Sequence, residues 1–533
     1  MRRMILPTIF GVLVVIASLL PAAATSADSS SGADRAYADT LARYASQPIR
    51  WAECYPGYGV PELQCATLRA PRDWANPRRG DLNVVMSRLK ASNPRARRGV
   101  LLLNPGGPGD SGINLPYGFE TQPVASVYDL IGFDPRGVGR SGALECASPA
   151  IVDRAYRLDG RDTSLANTLE FVRLSQRWGQ ECSADPQTRD ISTSQIVRDM
   201  DLMRAVLGER KINYFGYSWG SWLGAWYAST FPNRTDRFAL DGNFDWTGTS
   251  YDGFSPQVAA FQHSYEHDLL PWIAKYDATY HLGSTPSRVK ANIEARRSVL
   301  QAHPMVLEPG NAIDGAAYDE GLASALYGVY SYPFIAEALA ALEHWRTATA
   351  AERDNIASWF YGGSVGHGDD PFYTLLCSDT PSPPSSVTVA DWLRDRTRYP
   401  LIGSTYFNPC PSWSIAATGS PVVARDVPAL LMLANDGDPA TPYAGALHAH
   451  RAAPNTRLIT VRDEPDHTIY GAGVACVDDA VNAWLIDGVL PRRDLTCQGQ
   501  ALPTPNVVAT AATRTAAAAT TASPYQRQRA SSR

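Results

Sequence analysis

A succession of short apolar segments, each ending in a loop of small or polar residues, most constrains how this chain can fold. Helical patterns separate several of these segments, most clearly at 194–207, where apolar residues recur at helical spacing. Strands that alternate with helices predict an α/β fold with a mostly parallel sheet covered on both faces. The candidate strands are 63–68, 82–89, 99–103, 127–133, 212–215, 237–240, 429–434 and 456–461.

A long interval after residue 240 interrupts this alternation. It contains the helical stretches 321–347 and 350–359 and many aromatic residues. A connection of this length inside a sheet protein should itself be folded. We therefore predict a large, mainly helical cap at 246–425, inserted after the sixth strand and lying over the carboxyl ends of the strands. The core would then consist of 35–245 and 426–500. The alternative is a separate, solvent-facing domain.

The N-terminal segment has the features of an export signal. Two arginines precede an apolar run at 5–20, and small residues follow this run. The pattern is typical of a secretory signal peptide, which we place at 1–27, and it predicts a secreted protein. The mature chain would begin near Thr25 or Asp28. An uncleaved membrane anchor is the alternative, although the apolar run is somewhat short for a span.

The composition is that of a folded and slightly acidic protein. Hydrophobic residues make up 44% of the chain, and 48 Lys and Arg stand against 53 Asp and Glu, for a formal net charge of −5. A nucleic-acid-binding protein would more often be basic. We therefore expect no nucleic-acid partner, and no membrane partner once the signal is removed. The Ala/Thr-rich segment 507–533 has no apolar periodicity and is predicted to be a flexible tail.

The eight cysteines are expected to form disulfides if the chain is exported. A zinc site is the alternative, but the sequence contains no C-x-x-C pair. We expect disulfides, no metal and no cofactor. The simplest pairing joins cysteines that are neighbours in sequence: Cys54 with Cys65, Cys146 with Cys182, Cys377 with Cys410, and Cys476 with Cys497.

The sharpest local motif is Gly-x-Ser-x-Gly at 216–220. An apolar run enters the motif, and a helix-compatible segment, 221–229, leaves it. This is the strand–turn–helix context of a nucleophile elbow, in which a strained turn exposes the serine hydroxyl. The sequence therefore predicts Ser218 as a nucleophile.

A serine hydroxyl needs a base that takes its proton. When an elbow carries the serine, the acid and then the histidine follow it along the chain. The candidate acids lie in the loop after the strand at 429–434. Of the nine histidines, His448, His450 and His467 follow this loop in the sequence. His448 and His450 fall in 443–451, which has a helical pattern. His467 follows the last candidate strand in a loop and is therefore the predicted base.

Two aspartates compete for the role of the acid, both in the loop after the strand at 429–434. A carboxylate at this place can hold the imidazole tautomer and stabilise the imidazolium. Asp436 precedes Gly437, and this pair is typical of a turn. Turn chemistry therefore favours Asp438, while Asp436 remains the alternative.

A glycine-rich loop, 104–109, follows the strand at 99–103 and precedes the nucleophile. Glycines allow backbone N–H groups to approach a substrate closely, as an oxyanion hole requires. We predict that the N–H groups of Gly107 and Trp219 form this hole. The loop lacks the Gly-Lys-Ser/Thr ending of a phosphate-binding loop. A purely structural turn is the remaining alternative.

Taken together, these motifs resemble the α/β-hydrolase peptidases, and among them the secreted tripeptidyl aminopeptidases of bacteria, which are relatives of the proline iminopeptidases. The resemblance extends over roughly residues 50–500. The family's histidine usually has glycine neighbours, whereas Asp466 and Thr468 flank His467 here. The matching segments are 104–109, 132–141, 199–204 with 207–208, 216–220, 240–242 and 438–442.

The resemblance implies an α/β-hydrolase fold with Ser218, Asp438 and His467 as the catalytic triad. It also implies a serine exopeptidase that acts through an acyl-enzyme on peptides with a free N-terminus. A carboxylic-ester hydrolase with the same triad and a non-catalytic exported binding protein on the same fold are the alternatives.

An aminopeptidase must also bind the substrate's ammonium group, which calls for carboxylates in a water-poor pocket. The sequence does not choose among the acidic residues near the predicted cleft, so the substrate-binding residues stay open at this point. The candidates are Asp241, Asp245, Glu266, Glu320 and Glu337.

Overall fold

The computed structural model describes residues 26–57, 60–308, 311–360, 369–403, 408–417, 419 and 422–505. The predicted tail and all but the last two residues of the predicted signal peptide lie outside these ranges. The strands are β1 (Ala52–Glu53), β2 (Gln64–Pro71), β3 (Asp81–Leu89), β4 (Val100–Asn104), β5 (Asp129–Phe133), β6 (Ile212–Tyr217), β7 (Thr235–Asp241), β8 (Met305–Glu308), β9 (Asn311–Ile313), β10 (Leu430–Asn435), β11 (Thr456–Arg462) and β12 (Leu495–Gln498).

The helices connect these strands and fill the cap. They are α1 (Ser26–Ala45), α2 (Leu115–Gly118), α3 (Pro149–Tyr156), α4 (Leu165–Ala184), α5 (Thr193–Val206), α6 (Trp219–Thr230), α7 (Ser250–Phe254), α8 (Gln257–Ser264), α9 (Leu270–Lys275), α10 (Asp277–Tyr280), α11 (Pro286–Ala302), α12 (Gly315–Ala325), α13 (Tyr332–Leu342), α14 (Ala350–Phe360), α15 (Asp369–Asp379), α16 (Ser385–Arg398), α17 (Tyr443–Ala452) and α18 (Ala475–Asn482).

One large sheet organises the molecule. Within the described ranges its ten strands lie in the order β1-β2-β3-β5-β4-β6-β7-β10-β11-β12. The pairs among β1, β2, β3 and β5 are antiparallel, and all the other pairs are parallel. Strands β4, β6 and β10 are buried over their whole length, as a parallel sheet covered on both faces requires. The predicted mostly parallel α/β sheet is confirmed.

Alternation along the strands divides the hydrophobic core between the two faces of the sheet. Leu102 of β4 packs in the cluster that includes α5 and α6, whereas Leu101 and Leu103 pack in the opposite cluster with α18. Tyr214 and Phe215 of β6 divide in the same way. The sheet is therefore the middle layer of three, which leaves the carboxyl ends of its strands to carry the loops of the site.

Each predicted strand overlaps an observed one, but the shortest strands escaped prediction. Strands β1, β8, β9 and β12 have two to four residues each, too few for an alternating pattern to stand out. Because β1 precedes the first predicted strand, the inserted segment follows the seventh strand among the described residues, which is the sixth of the predicted ones.

The inserted segment packs in two parts. Side chains between Phe261 and Phe360, joined by Leu401, form a hydrophobic core of their own, and Ala440 from the loop after β10 packs into it. In contrast, Leu375 and Val422 belong to the core of the sheet. The boundaries at 246–425 stay a prediction. The contact with Ala440 joins this segment to the loop that follows β10.

The predicted helix at 321–347 is wrong as a continuous element. It divides into α12 and α13, because Gly328 adopts an extended conformation with φ −165°. Pro333 lies in the first turn of α13, where no hydrogen bond within the helix needs the N–H that proline lacks. In the middle of one long helix the same proline would remove a hydrogen bond and clash with the preceding turn. The short segment between the two helices becomes important at the site.

The four predicted disulfides are present: Cys54–Cys65, Cys146–Cys182, Cys377–Cys410 and Cys476–Cys497. Every cysteine is thereby joined to another, so none is available as the thiolate that a zinc site of this type needs. Within the part of the chain that the structure describes, no helix has both the length and the apolar character needed to cross a membrane.

Candidate active site

Ser218 lies in the turn between β6 and α6, as the motif predicts. Its backbone has φ 56° and ψ −125°, a left-handed conformation that is strained for a residue with a side chain. The Ser218 N–H donates to the Asp241 carbonyl at 2.8 Å, and the Ser218 carbonyl accepts hydrogen bonds from the Ser221 N–H and hydroxyl. The turn is therefore held from both sides, as a nucleophile elbow is.

The two glycines of the motif are required by close packing. A Cβ atom on Gly216 would lie 2.5 Å from the Gly220 carbonyl oxygen. A Cβ atom on Gly220 would lie 2.9 Å from Asn104 Oδ1. Both distances are too short for a side chain, so the elbow can form only with glycine at these positions.

His467 and Asp438 form a fully buried pair. His467 Nδ1 lies 3.0 Å from Asp438 Oδ1 and 2.9 Å from Oδ2. Asp438 Oδ1 also accepts the N–H groups of Ala440 and Thr441, both at 2.8 Å, and Oδ2 accepts the Thr441 hydroxyl at 2.7 Å. This turn around the aspartate side chain fixes the carboxylate so that it faces the imidazole.

The structure also places the competing residues elsewhere. Asp436 Oδ2 lies 3.6 Å from a guanidinium nitrogen of Arg462, at the end of β11. His448 and His450 lie on α17 and contact other acidic residues. The predicted preference for Asp438 over Asp436 therefore agrees with the observed contacts of His467.

The nucleophile and the base each lie against the end of β7 and the residue that follows it. The Asp241 carbonyl accepts the Ser218 N–H, and the next residue, Gly242, has φ 62°. A Cβ atom on Gly242 would lie 3.0 Å from His467 Cε1. This close approach lets the imidazole lie against the same backbone segment that holds the serine.

The carboxyl group of Asp241 anchors the chain just after the base. Asp241 Oδ2 accepts the N–H groups of Ile469 at 3.0 Å and Tyr470 at 2.8 Å. Burial raises the pKa of Asp241 to about 7, although these hydrogen bonds and the nearby charge of His467 act in the opposite direction. Asp241 was a candidate for binding the substrate ammonium, but an enclosed and already hydrogen-bonded carboxyl group cannot serve that purpose.

The other candidates for the ammonium site have varied surroundings. Asp245 Oδ2 lies 2.9 Å from His448 Nδ1, and Glu266 Oε1 accepts a hydrogen bond of 2.6 Å from Lys290 Nζ. Both carboxylates are thus engaged with basic groups of the protein. Glu320 is exposed on α12, and Glu337 is half-buried on α13. These surroundings do not select one of the four as the ammonium site.

The glycine-rich loop lies directly against the elbow. A Cβ atom on Gly106 would lie 2.5 Å from the Tyr217 carbonyl oxygen and 2.9 Å from both Ser218 Cβ and Trp219 N. Asn104 holds the loop in place, because its Oδ1 accepts the Gly106 N–H at 3.0 Å. The structure therefore places Gly106, the residue before Gly107, against the elbow. Trp219 is the first residue of α6. The N–H groups of a helix's first turn have no hydrogen-bond partner within the helix, so they can bind another group.

Two residues at the imidazole were not predicted. Thr441 Oγ1 lies 3.4 Å from His467 Nδ1, and the Tyr327 ring meets the imidazole edge-on, with centroids 5.6 Å apart. Thr441 follows Asp438 by three residues, and this spacing in a side-chain turn was a usable signal. Tyr327 comes from the cap, between α12 and α13, and no local pattern indicates its contact.

Comparisons with known proteins find relatives along most of the chain. Residues 99–470 match a family model described as the alpha/beta hydrolase fold. Tripeptidyl aminopeptidase of Streptomyces coelicolor is 30% identical over 497 residues, which cover 88% of this chain and 90% of that protein. Serine protease Hip1 of Mycobacterium tuberculosis is 28% identical, covering 85% and 91%. Carboxylesterase B of Mycobacterium tuberculosis is 31% identical, covering 81% and 86%.

Proposed function

This chain belongs to the α/β-hydrolase family and is a serine hydrolase related to the tripeptidyl aminopeptidases, and we propose that it releases short peptides from the free N-terminus of peptide substrates. The observation that carries the proposal is the buried Asp438–His467 pair, whose imidazole lies against the same segment at the end of β7 that binds the strained Ser218. An acid, a base and a nucleophile in this arrangement are the machinery of acyl transfer.

In the proposed first step, the Ser218 hydroxyl attacks the scissile carbonyl while His467 Nε2 takes the hydroxyl proton. Asp438 accepts the Nδ1–H of the imidazole, which keeps the tautomer that this step needs and stabilises the imidazolium. The N–H groups of Gly107 and Trp219 stabilise the oxyanion of the tetrahedral intermediate. His467 then gives its proton to the departing amine, which leaves an acyl-enzyme.

In the second step, water attacks the acyl-enzyme and gives its proton to His467. The new tetrahedral intermediate collapses and the bond between the acyl carbon and Ser218 Oγ breaks. The peptide leaves with a C-terminal carboxylate, and His467 returns the proton to Ser218. Substrate, water and protein supply every atom and proton of this cycle.

Two observations support an exopeptidase in particular. The relatives named tripeptidyl aminopeptidase align over 88% of this chain, so the alignment includes the greater part of the cap. The cap contacts the imidazole through Tyr327, and we propose that the cap closes one side of the site in this way. A site closed on one side suits a substrate that enters by its end better than one that extends across it.

We also propose that the protein is secreted. The predicted signal peptide at 1–27 and the four disulfides support export, because disulfides persist in oxidising compartments. Detection of the protein in culture supernatant, with an N-terminus near Thr25 or Asp28, is the expected result. A chain that stays in the membrane fraction with Met1 intact would contradict this proposal.

A carboxylic-ester hydrolase is the second candidate, because Carboxylesterase B is also a relative of comparable identity. Esters and amides pass through the same acyl-enzyme, so the triad alone does not choose between them. What separates the two is whether the substrate's ammonium group contributes to recognition.

The test compares kcat/KM for a tripeptide p-nitroanilide with a free amine, its N-acetyl analogue and a short-chain aryl ester. We expect the free amine to be preferred by about 100-fold or more, because acetylation removes the positive charge that an aminopeptidase has to recognise. Equal cleavage of both peptides would refute the aminopeptidase proposal, and turnover of the ester alone would favour the second candidate.

Two serine variants control this comparison. Ser218→Ala should abolish turnover of all three substrates without a change in Tm, because it removes only the nucleophile. Ser183→Ala removes another buried hydroxyl, which in α4 accepts the Ser414 N–H, and should leave turnover unchanged. Full activity in Ser218→Ala would contradict the assignment of the nucleophile.

A further inference from the structure

We propose that Asp466 is a positioning residue that fastens the loop of the base to the cap, so that the cap sets the location of the His467 imidazole. The inference rests on the proposed role of His467 as the base. It also addresses the feature in which this chain departs from the family it resembles, namely an aspartate beside the histidine where a glycine is usual.

Two hydrogen bonds join the loop of the base to the turn between α12 and α13. Asp466 Oδ1 accepts the Val329 N–H at 2.6 Å, and the His467 N–H donates to the Tyr327 carbonyl at 2.9 Å. The Tyr327 ring also meets the imidazole edge-on. The segment 327–329 of the cap therefore contacts the backbone and the ring of His467 and the side chain of Asp466.

Asp466 is also tied to the strand that leads to the acid. The Asn435 side chain, at the end of β10, donates to the Asp466 carbonyl at 2.7 Å. The Asp466 N–H donates to Glu464 Oε1 at 3.2 Å. Asp438 lies three residues after Asn435. Asp466 therefore links the loop of the acid, the loop of the base and the cap.

The cap contacts the loop of the acid as well. Gln257 Nε2, at the start of α8, donates to the Ala440 carbonyl at 2.5 Å, and the Ser264 hydroxyl lies 3.4 Å from the Gly437 carbonyl oxygen. The part of the cap from α8 to α13 is thus bound to both loops of the triad. A shift of this part would move His467 relative to Ser218, because Ser218 lies in the turn between β6 and α6 and does not belong to the cap.

An aspartate is suited to this task and a glycine is not. Asp466 is only 3% exposed, and a buried carboxylate is stable only where donors satisfy it. The Val329 N–H is such a donor, and it is available because Val329 follows the extended Gly328 at the start of a new turn. A glycine at position 466 would have no atom that reaches the cap.

The test compares Asp466→Ala with Asp466→Asn. The amide oxygen of asparagine can still accept the Val329 N–H, whereas alanine removes the link. We expect alanine to lower kcat by about 10- to 100-fold, because displacements of about 1 Å at reacting groups have costs of this order. KM should change by less than about threefold, since substrate contacts are not altered, and asparagine should restore most of kcat.

A second variant breaks the same link from the cap side. Val329 begins a 3-10 turn after an extended residue, a position where proline fits the backbone and removes the N–H. The apolar proline ring takes the place of the buried valine side chain. Val329→Pro should therefore reproduce the loss of kcat seen in Asp466→Ala. It keeps the proposal testable if the alanine variant does not fold.

A matched control removes the same type of bond elsewhere in the cap. Asp314 Oδ1 accepts the Ala317 N–H at 2.9 Å at the far end of α12, so Asp314→Ala should lower Tm and leave kcat unchanged. Unaltered kcat in both Asp466→Ala and Val329→Pro would overturn the inference, and so would equal losses in the alanine and asparagine variants.

The rate at which a fluorophosphonate labels Ser218 separates this inference from the proposed function. Labelling needs the nucleophile and the base but no peptide recognition. If wild type labels but cleaves no peptide, the proposed substrate is wrong, while a slower labelling rate in Asp466→Ala still supports the inference. An unchanged labelling rate in Asp466→Ala contradicts the inference whatever the substrate is.

Discussion

The carboxyl group of Asp241 should make the stability of the protein depend on pH, and Asp241→Asn should remove this dependence. The substitution is close to isosteric. Asp241 Oδ2 accepts the N–H groups of both Ile469 and Tyr470, and Oδ1 accepts only a second, longer bond of 3.2 Å from Ile469. An amide oxygen in the place of Oδ2 therefore retains the two shorter hydrogen bonds. What disappears is the ability to titrate.

The size of the effect follows from the pKa shift. Burial raises the pKa of Asp241 from its ordinary value of 3.8 to about 7. Between these values the native protein holds a proton that the unfolded chain has released, so the free energy of unfolding decreases as pH rises, by about 1.4 kcal/mol per pH unit. The contribution is fully present below pH 3.8 and is lost by about pH 7, which amounts to about 4 kcal/mol.

The assay is urea unfolding of both proteins at pH 5 and pH 8, with the disulfides intact. Between these conditions wild type should lose about 3 kcal/mol more than Asp241→Asn, because about two pH units of the window lie between pH 5 and the pKa in the native state. A constant cost of the substitution cancels in this comparison. Parallel pH profiles of the two proteins would refute the reasoning.

Two further predictions concern the glycine-rich loop and the edge of the sheet. Gly106→Ala should lower kcat by about 10²–10³-fold, the cost of losing an oxyanion donor, because its Cβ would lie 2.9 Å from Ser218 Cβ; steady-state kinetics with an unchanged value for kcat would contradict the predicted placement of the oxyanion hole. Replacing Cys476 and Cys497 together by serine should lower the free energy of unfolding by about 3 kcal/mol, since the bond closes a loop with a sequence separation of 21. Urea unfolding measures the loss, and equal stability of the two proteins would show that the bond does not constrain the unfolded chain.

Local constraints explain how much of the site could be predicted from the sequence. The elbow is visible because the close packing at Gly216 and Gly220 admits no side chain, which fixes residue identities within five positions. The order of serine, acid and histidine then reduces nine histidines to a few candidates. The same applies to the sheet, whose buried strands are continuous apolar runs.

Contacts between distant segments explain what could not be predicted. Nothing near Asp241 in the sequence indicates that its carboxyl group binds the chain more than 200 residues later, at Tyr470. Tyr327 and Val329 reach the base only because the predicted long helix breaks at Gly328. The burial of these side chains and their contacts with distant residues depend on the tertiary fold, so the sequence pattern of one segment does not predict them.

The central claim is that His467 activates Ser218 as a nucleophile, and covalent labelling tests it most directly. Mass spectrometry of the protein after reaction with a fluorophosphonate should show one adduct, on the peptide that contains Ser218. The adduct should be absent in Ser218→Ala and should form at least about 10³-fold more slowly in His467→Ala. An adduct on another serine, or a labelling rate that does not depend on His467, would contradict the account.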